Sequence, residues 1–388
     1  MTVSRRAFVA TVGAGGAGVL AAPLILGRGR EASSSLYAFQ GTEDRKADRR
    51  LAAQPGMIRI DSNENPVGPG EQALAAIRKT LDAANRYPVL LEDAVKESVA
   101  KLQGVRTENV VLGCGSGELL RSAVQAFTSS DRPFVAPAPT FEAPGEFAKF
   151  IGTPVKGVPV DAKLAADLGA LVEASRGAGL VFLCNPNNPT ATAHSRSEIA
   201  AFIEQVGRVS PNTTILVDEA YFEYVDAPGY GTVIPLTLTN PRVIVARTFS
   251  KVFGMAGLRL GYAVGQKETL AKLASYQLGS NTNQLVLAAA VAALADTEHV
   301  AREQRRNREV RAFTRKFFSD AGYTMSAGDA NFMMVDIRRD AKAFKAQCLK
   351  KGVAVGRAFP PLTTHVRLSF GTMPEMQKAL EVFRTTLA

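Results

Sequence analysis

Short apolar runs alternate along this chain with longer stretches whose apolar positions recur at helical spacing. Val110-Val111-Leu112, Phe134-Val135-Ala136, Leu180-Val181-Phe182-Leu183, Ile215-Leu216-Val217 and Val243-Ile244-Val245 are continuous apolar runs without polar alternation. Runs of this length predict strands buried on both faces, the pattern of a parallel sheet covered by helices. Helices are predicted between them over residues 118–127, 197–209 and 267–276, and a long helical region over 284–318. The later half of that region is dense in Arg and Glu and reads as a solvated helix face. From about Arg315 the pattern changes to a strand at 332–335, a helix at 341–351, a strand at 366–370 and a closing helix from Pro374. The expected fold is α/β: a large domain over 57–280, its mainly parallel sheet sandwiched by helices, then a connecting helix and a smaller α+β domain over 281–388.

The first fifty-six residues follow neither pattern. Ser4-Arg5-Arg6-Ala7-Phe8-Val9 opens an uncharged, Ala- and Gly-rich stretch that runs to Leu26. Residues 1–30 read as a twin-arginine signal, which implies recognition by the twin-arginine export machinery and a periplasmic location, membrane-anchored if the signal is kept. Residues 31–56 are polar and charged, and read as a linker or arm.

The 388-residue chain carries a formal charge of +10, but Arg5, Arg6, Arg28 and Arg30 supply four of those charges in a segment without acids. The remaining excess is scattered, with no basic stripe interleaved with aromatics, so no nucleic-acid partner is expected. Cys114, Cys184 and Cys348 are odd in number and far apart, which argues against a disulfide framework. His194, His299 and His365 have no ligand-like spacing, so no metal is expected.

The chemistry lies at the ends of the apolar runs, where open parallel sheets bind their ligands. Thr248-Phe249-Ser250-Lys251, with Arg259 eight residues later, combines an amine with hydroxyls and a guanidinium suited to a phosphate. Lys251 is the candidate to hold the aldehyde of pyridoxal phosphate as a Schiff base. Asp218, at the end of Thr214-Ile215-Leu216-Val217, is placed to pair with the pyridine nitrogen and keep it protonated; taken alone, it would pass for a helix N-cap after a strand. Tyr221 and the amide of Asn188 could each hydrogen-bond the cofactor's phenolic oxygen. Gly113-Cys114-Gly115-Ser116-Gly117-Glu118 opens a helix after a strand, so Ser116 and Gly117 stand at an anion-binding helix terminus. Phe141 could stack on the pyridine ring or simply fill the core.

Taken in order, Asn63-Glu64-Asn65-Pro66, Arg86-Tyr87-Pro88, Gly115-Ser116-Gly117-Glu118, Pro139-Thr140-Phe141, Asn185 to Thr190, Asp218 to Tyr221, Ser250-Lys251, Arg259 and Val366-Arg367-Leu368 form one series. It resembles the histidinol-phosphate aminotransferase branch of the class I/II aminotransferases, over roughly residues 57–388. The resemblance implies a fold-type I homodimer with active sites at the subunit interface, where Tyr87 reaches the phosphate in the partner's site. It implies that Arg367 clamps the substrate α-carboxylate, that Arg357 faces the substrate's distal group, and that Asn331 lies near the site. Ala191 departs from the pattern, because the family's Asn-Pro-Thr motif usually ends in Gly, and it is expected to stiffen that turn.

The expected activity is amino transfer between an amino acid and a 2-oxo acid, with Lys251, Asp218 and Tyr221 as the catalytic set. The same residues would serve decarboxylation, elimination or oxidation of an amino acid, although a carboxylate clamp at Arg367 favours transfer over decarboxylation. A noncatalytic binding protein would have no need of Lys251, Asp218 and Arg259 together.

Overall fold

A computed structural model describes Arg50 and residues 54–388. The expected export signal and nearly all of the expected arm lie outside these residues. The strands are β1 (Ile58–Ile60), β2 (Val110–Gly113), β3 (Phe134–Ala138), β4 (Val155–Pro159), β5 (Leu180–Cys184), β6 (Thr214–Asp218), β7 (Val243–Thr248), β8 (Gly261–Val264), β9 (Thr324–Met325), β10 (Phe332–Asp336), β11 (Val353–Val355) and β12 (His365–Ser369). The helices are α1 (Glu71–Thr80), α2 (Val89–Gln103), α3 (Ser116–Phe127), α4 (Ala143–Phe150), α5 (Leu168–Ala174), α6 (Arg196–Val209), α7 (Ile234–Thr239), α8 (Lys267–Ala274), α9 (Gln284–Ala295), α10 (Thr297–Asp320), α11 (Ala341–Lys350) and α12 (Met373–Leu387).

Seven strands form the large sheet in the order β2-β8-β7-β6-β5-β3-β4. All five apolar runs became strands of this sheet, and every residue of β5, β6 and β7 is buried. Strands β3 to β7 pair in parallel, whereas β8 runs antiparallel to both β7 and β2. The parallel core brings the carboxyl ends of β5, β6 and β7 to one edge, which is where the chemistry-bearing loops begin. The first turn of α6 shows how sequence starts a helix here: Ser195 accepts from the Glu198 N–H while Glu198 returns to the Ser195 N–H, a capping box.

Two features differ from the expected organisation. The single helical region over 284–318 is two helices that meet at 78°. Asp296 breaks it by accepting from the His299 N–H, so it caps a new helix instead of continuing the old one. The apolar α9, the first part of the expected connecting helix, packs on α1 and α2 and joins the large core. Finally, β1 leaves the expected large domain 57–280 and pairs in parallel with β11, with Ile60 packed in a second core alongside Phe344, Phe383 and Leu368. A three-residue strand cannot bury itself alone, and the free edge of β11 supplies its partner. The second core also holds the antiparallel sheet β12-β10-β9.

Ala191 sits at φ +63°, with its N–H donated to the Asn187 carbonyl at 2.7 Å. Glycine enters this left-handed region freely, whereas alanine pays roughly 1–2 kcal/mol there. The turn is therefore held by its surroundings against a local preference.

Candidate active site

Lys251 follows β7, Asp218 ends β6, and Asn188 follows β5, so three adjacent parallel strands deliver an amine, a carboxylate and an amide to one place. The second lobe adds Arg367 from β12 and Asn331 from just before β10. The segment between β1 and α1 threads between them, and its Asn63 joins the two lobes.

Lys251 Nζ donates to the Asn63 carbonyl at 3.0 Å, and Asn331 Nδ2 donates to the same oxygen at 3.0 Å. Asn63 Nδ2 donates to Tyr221 Oη at 3.2 Å. Ser369 in turn fixes Asn63, accepting from its N–H at 2.8 Å and donating to its Oδ1 at 2.9 Å. Asn63 is buried at φ +53°, a conformation asparagine tolerates better than most residues. It was not among the expected site residues. The signal was present in the run Asn63-Glu64-Asn65-Pro66, but nothing local shows that its first residue reaches both lobes.

Burial sets the electrostatics. The half-buried Lys251 amine is brought down to about 8 by desolvation and then by the nearby Arg367 charge. The Asp218 carboxyl, 3% exposed, is pushed up to about 7 by burial. Its Oδ1 has no hydrogen-bond partner among the described residues, and its Oδ2 lies 3.9 Å from Cys184 Sγ. Burial also raises the Tyr221 phenol well above its ordinary value. Arg367 is lowered to about 10 by burial; its Nη1 donates to Asn188 Oδ1 at 2.7 Å and its Nη2 to the Asp61 carbonyl.

Glu219, next to Asp218, points the other way. Arg247 Nε and Nη2 donate to its Oε2 at 3.0 and 2.8 Å, and the Val233 N–H donates to Oε1 at 2.9 Å. Arg247 immediately precedes Thr248, so this buried ion pair ties the end of β6 to the end of β7. It holds Asp218 and the Lys251 loop at fixed spacing.

The phosphate-binding candidates also meet. The Ser250 N–H donates to Thr248 Oγ1 at 3.1 Å, and Thr248 Oγ1 donates to Ser250 Oγ at 2.9 Å. Arg259 Nη1 donates to the Ala256 carbonyl at 2.7 Å and reaches to 3.5 Å from Ser250 Oγ. The guanidinium lies over the start of α3, because a Cβ on Gly115, at φ +76°, would fall 2.3 Å from Arg259 Nη2. Ser116 and Gly117 form the first turn of α3, which has no side-chain cap. Open N–H groups, two hydroxyls and a guanidinium form a cradle for a dianion.

Phe141 is half-buried against the large core, two residues past Pro139, whose carbonyl accepts from Asn187 Nδ2 at 3.1 Å. Arg357 forms an ion pair with Glu142, and its guanidinium stands 3.9 Å over the Phe359 ring. Tyr87 is 82% exposed and makes no hydrogen bond to this cluster among the described residues.

The residues present fit pyridoxal phosphate. Asp218 Oδ1 is a buried acceptor in want of a donor, such as the pyridine N–H; Lys251 offers an amine near neutrality; the Arg259 cradle suits a phosphate. A mainly parallel α/β sheet with a lysine beyond one strand and an aspartate on its neighbour defines a fold-type I pyridoxal phosphate enzyme. The chain belongs to the aminotransferase class I and II family, whose model matches residues 55–383. It is 35% identical over 333 residues to a histidinol-phosphate aminotransferase of Symbiobacterium thermophilum, covering 85% of this chain and 91% of the relative. It is 34% identical over 342 residues to an aromatic amino acid aminotransferase of Nocardia farcinica, covering 84% and 91%. Its fold is similar to that of the Sinorhizobium meliloti histidinol-phosphate aminotransferase in complex with pyridoxal-5'-phosphate, with a TM-score of 0.83, 24% identity and coverage of 93% and 98%. The protein is a pyridoxal phosphate-dependent aminotransferase.

Proposed function

We propose that amino transfer runs between an α-amino acid and a 2-oxo acid at the site around Lys251, with the following division of labour. The observation that carries this reading is that the ends of β5, β6 and β7 bring Asn188, Asp218 and Lys251 to one edge of the sheet, with Arg367 donating to Asn188 at 2.7 Å. The cofactor, when bound, supplies an aldehyde and an electron-withdrawing ring that stabilises negative charge at the substrate Cα. Lys251 Nζ would take up the Cα proton and deliver it to the cofactor carbon that carried the aldehyde, the second substrate reversing the transfer, a task suited to an amine that exchanges protons near pH 8. Asp218 provides the buried acceptor for the ring nitrogen. Tyr221 and Asn188 provide donors for the ring oxygen, and Asn188 keeps its amide hydrogens free for this because its Oδ1 already accepts from Arg367. Ser116, Gly117, Thr248, Ser250 and Arg259 hold the phosphate, and Phe141 flanks the ring. Arg367 receives the substrate carboxylate: among the described residues its partners are neutral oxygens, its Nε is unpartnered and no acid is in direct contact with its charge. Asn331 holds the Asn63 carbonyl against which Lys251 rests.

The test is the visible absorbance of the loaded protein while amino donors are added without an acceptor. Aromatic amino acids and histidinol phosphate, the compounds that name the relatives, come first. At least one α-amino acid is expected to bleach the band, with recovery on adding a 2-oxo acid; a band that no donor changes would defeat the assignment.

We further propose a homodimer in which Tyr87 serves the partner's phosphate site. Tyr87 (82%), Val89 (62%), Leu90 (84%) and Leu278 (79%) are apolar or aromatic residues left exposed, as a face covered by a second copy would be. Mixed dimers of Tyr87→Ala and Lys251→Ala subunits should regain one site that both holds the cofactor tightly and transfers the amino group, since one of the two sites then holds both residues. No regain in verified mixed dimers would exclude a shared site. Export by the twin-arginine route rests on Ser4-Arg5-Arg6 and the uncharged stretch behind it. Replacing Arg5 and Arg6 together by lysine should retain the protein in the cytoplasm, and unchanged fractionation would count against the signal.

A further inference from the structure

We propose that Glu142 is a specificity-determining residue: by holding Arg357 it fits the far end of the substrate chamber to side chains without net charge. This inference rests on the reading of Arg367 as the carboxylate anchor. Glu142 follows Phe141 and directly precedes α4 of the large lobe, whereas Arg357 follows β11 of the second lobe, so their ion pair crosses the cleft. Arg357 and Arg367 share one aromatic neighbour, with guanidinium carbons 3.9 and 5.1 Å from the Phe359 ring centre. Arg367 senses the Arg357 and Glu142 charges with opposite sign, which places all three groups in one electrostatic neighbourhood.

Two arginines over one ring would ordinarily suit a substrate with two acidic groups, but these two are not equivalent. Among the described residues the Arg367 guanidinium donates to two neutral oxygens, the Asn188 amide and the Asp61 carbonyl, and keeps its charge for a ligand. Arg357 is already neutralised by Glu142, and its other nitrogen donates to the Ala358 carbonyl at 2.9 Å. A distal carboxylate or phosphate must displace Glu142 and then sit beside the displaced like charge. An uncharged side chain can lie against Phe359 and the paired arginine with the ion pair intact. Specificity of this kind comes from a repulsive element placed against the wrong ligand. The pair is within reach of a ligand, its side chains being 26% and 40% exposed.

The experiment uses the cofactor-loaded protein and two acids without an amine, which bind but cannot react, titrated by calorimetry. 3-Phenylpropionate has an uncharged far end and glutarate a carboxylate there. Wild type should bind 3-phenylpropionate more tightly. Glu142→Gln should tighten glutarate about tenfold, in line with the coupling of partly exposed charge pairs, and leave 3-phenylpropionate unchanged. Adding Arg357→Gln to that variant should abolish the gain. Unchanged glutarate binding in Glu142→Gln would overturn the proposal, and so would equal weakening of both acids, which would make the pair a latch between the lobes. Arg367→Gln separates this from the parent reading: it should weaken both acids, and if it weakens neither, the carboxylate anchor itself is misassigned.

Discussion

Lys251→Ala is expected to slow amino transfer about 10⁴-fold, the upper range for loss of a positioned acid–base group. The loss should fall on the rate, because the cradle of Ser250, Thr248, Arg259 and the start of α3 does not depend on the amine. The fold should survive. The amine makes one hydrogen bond, to the Asn63 carbonyl, and that oxygen keeps its bond from Asn331. The sign of the stability change follows from the amine's shift from 10.5 to about 8. A basic group lowered by folding costs stability, fully so below the folded value, and the cost fades as pH rises toward the unfolded value. At pH 7 the variant should therefore melt no lower than wild type apart from the small cavity it leaves. Single-turnover rates of the loaded proteins, with melting curves of the cofactor-free ones alongside, check both halves. A variant that kept more than about a hundredth of the wild-type rate would remove Lys251 from the proton-transfer role.

Asp218→Asn separates function from stability more sharply. In the cofactor-free protein the Asp218 carboxyl is raised from 3.8 to about 7 by burial, and its Oδ1 has no partner among the described residues. An acid raised by folding destabilises the native state wherever it must ionise. The cost is absent below the unfolded value near 4, grows through the window from about 4 to 7, and is full above it. The cofactor-free variant should be more stable than wild type by a few kcal/mol at pH 8, with the difference vanishing near pH 4. Catalysis should move the other way, by about 10²–10³-fold, because a neutral amide cannot hold the ring nitrogen protonated as a carboxylate does. Melting of the cofactor-free proteins against pH, and rates of the loaded ones, give the two readouts. If the variant were less stable at every pH, ionising the buried carboxyl would not be the cost ascribed to it.

Stability is thus set aside at the point where the cofactor binds, a pattern common where a site is built for a ligand. The buried pair Glu219 and Arg247 shows the opposite arrangement one residue away. Its carboxylate is met by two guanidinium donors, the Thr232 hydroxyl and the Val233 N–H, so it can brace the strand ends that carry Asp218 and Lys251.

What the chain determined locally was legible before any coordinates. The five apolar runs had to be strands buried on both faces, and Asp218, Lys251 and the Asn185 to Thr190 loop had to lie where those runs end. The glycine-rich turn after β2 pointed to the start of α3, and the lysine, aspartate and arginine together implied the cofactor. These inferences rest on periodicity and on contacts between near neighbours, which a sequence displays directly. Tertiary structure alone decided the rest. It sent β1 to the second lobe, turned β8 antiparallel, bent the chain at Asp296 and made Asn63 the junction of the site, with Ser369, 306 positions away, as its partner. It also set Glu142 against Arg357 across 215 positions. Such pairings depend on which surfaces meet when two cores close on each other, and no local preference of an asparagine or a glutamate carries that information.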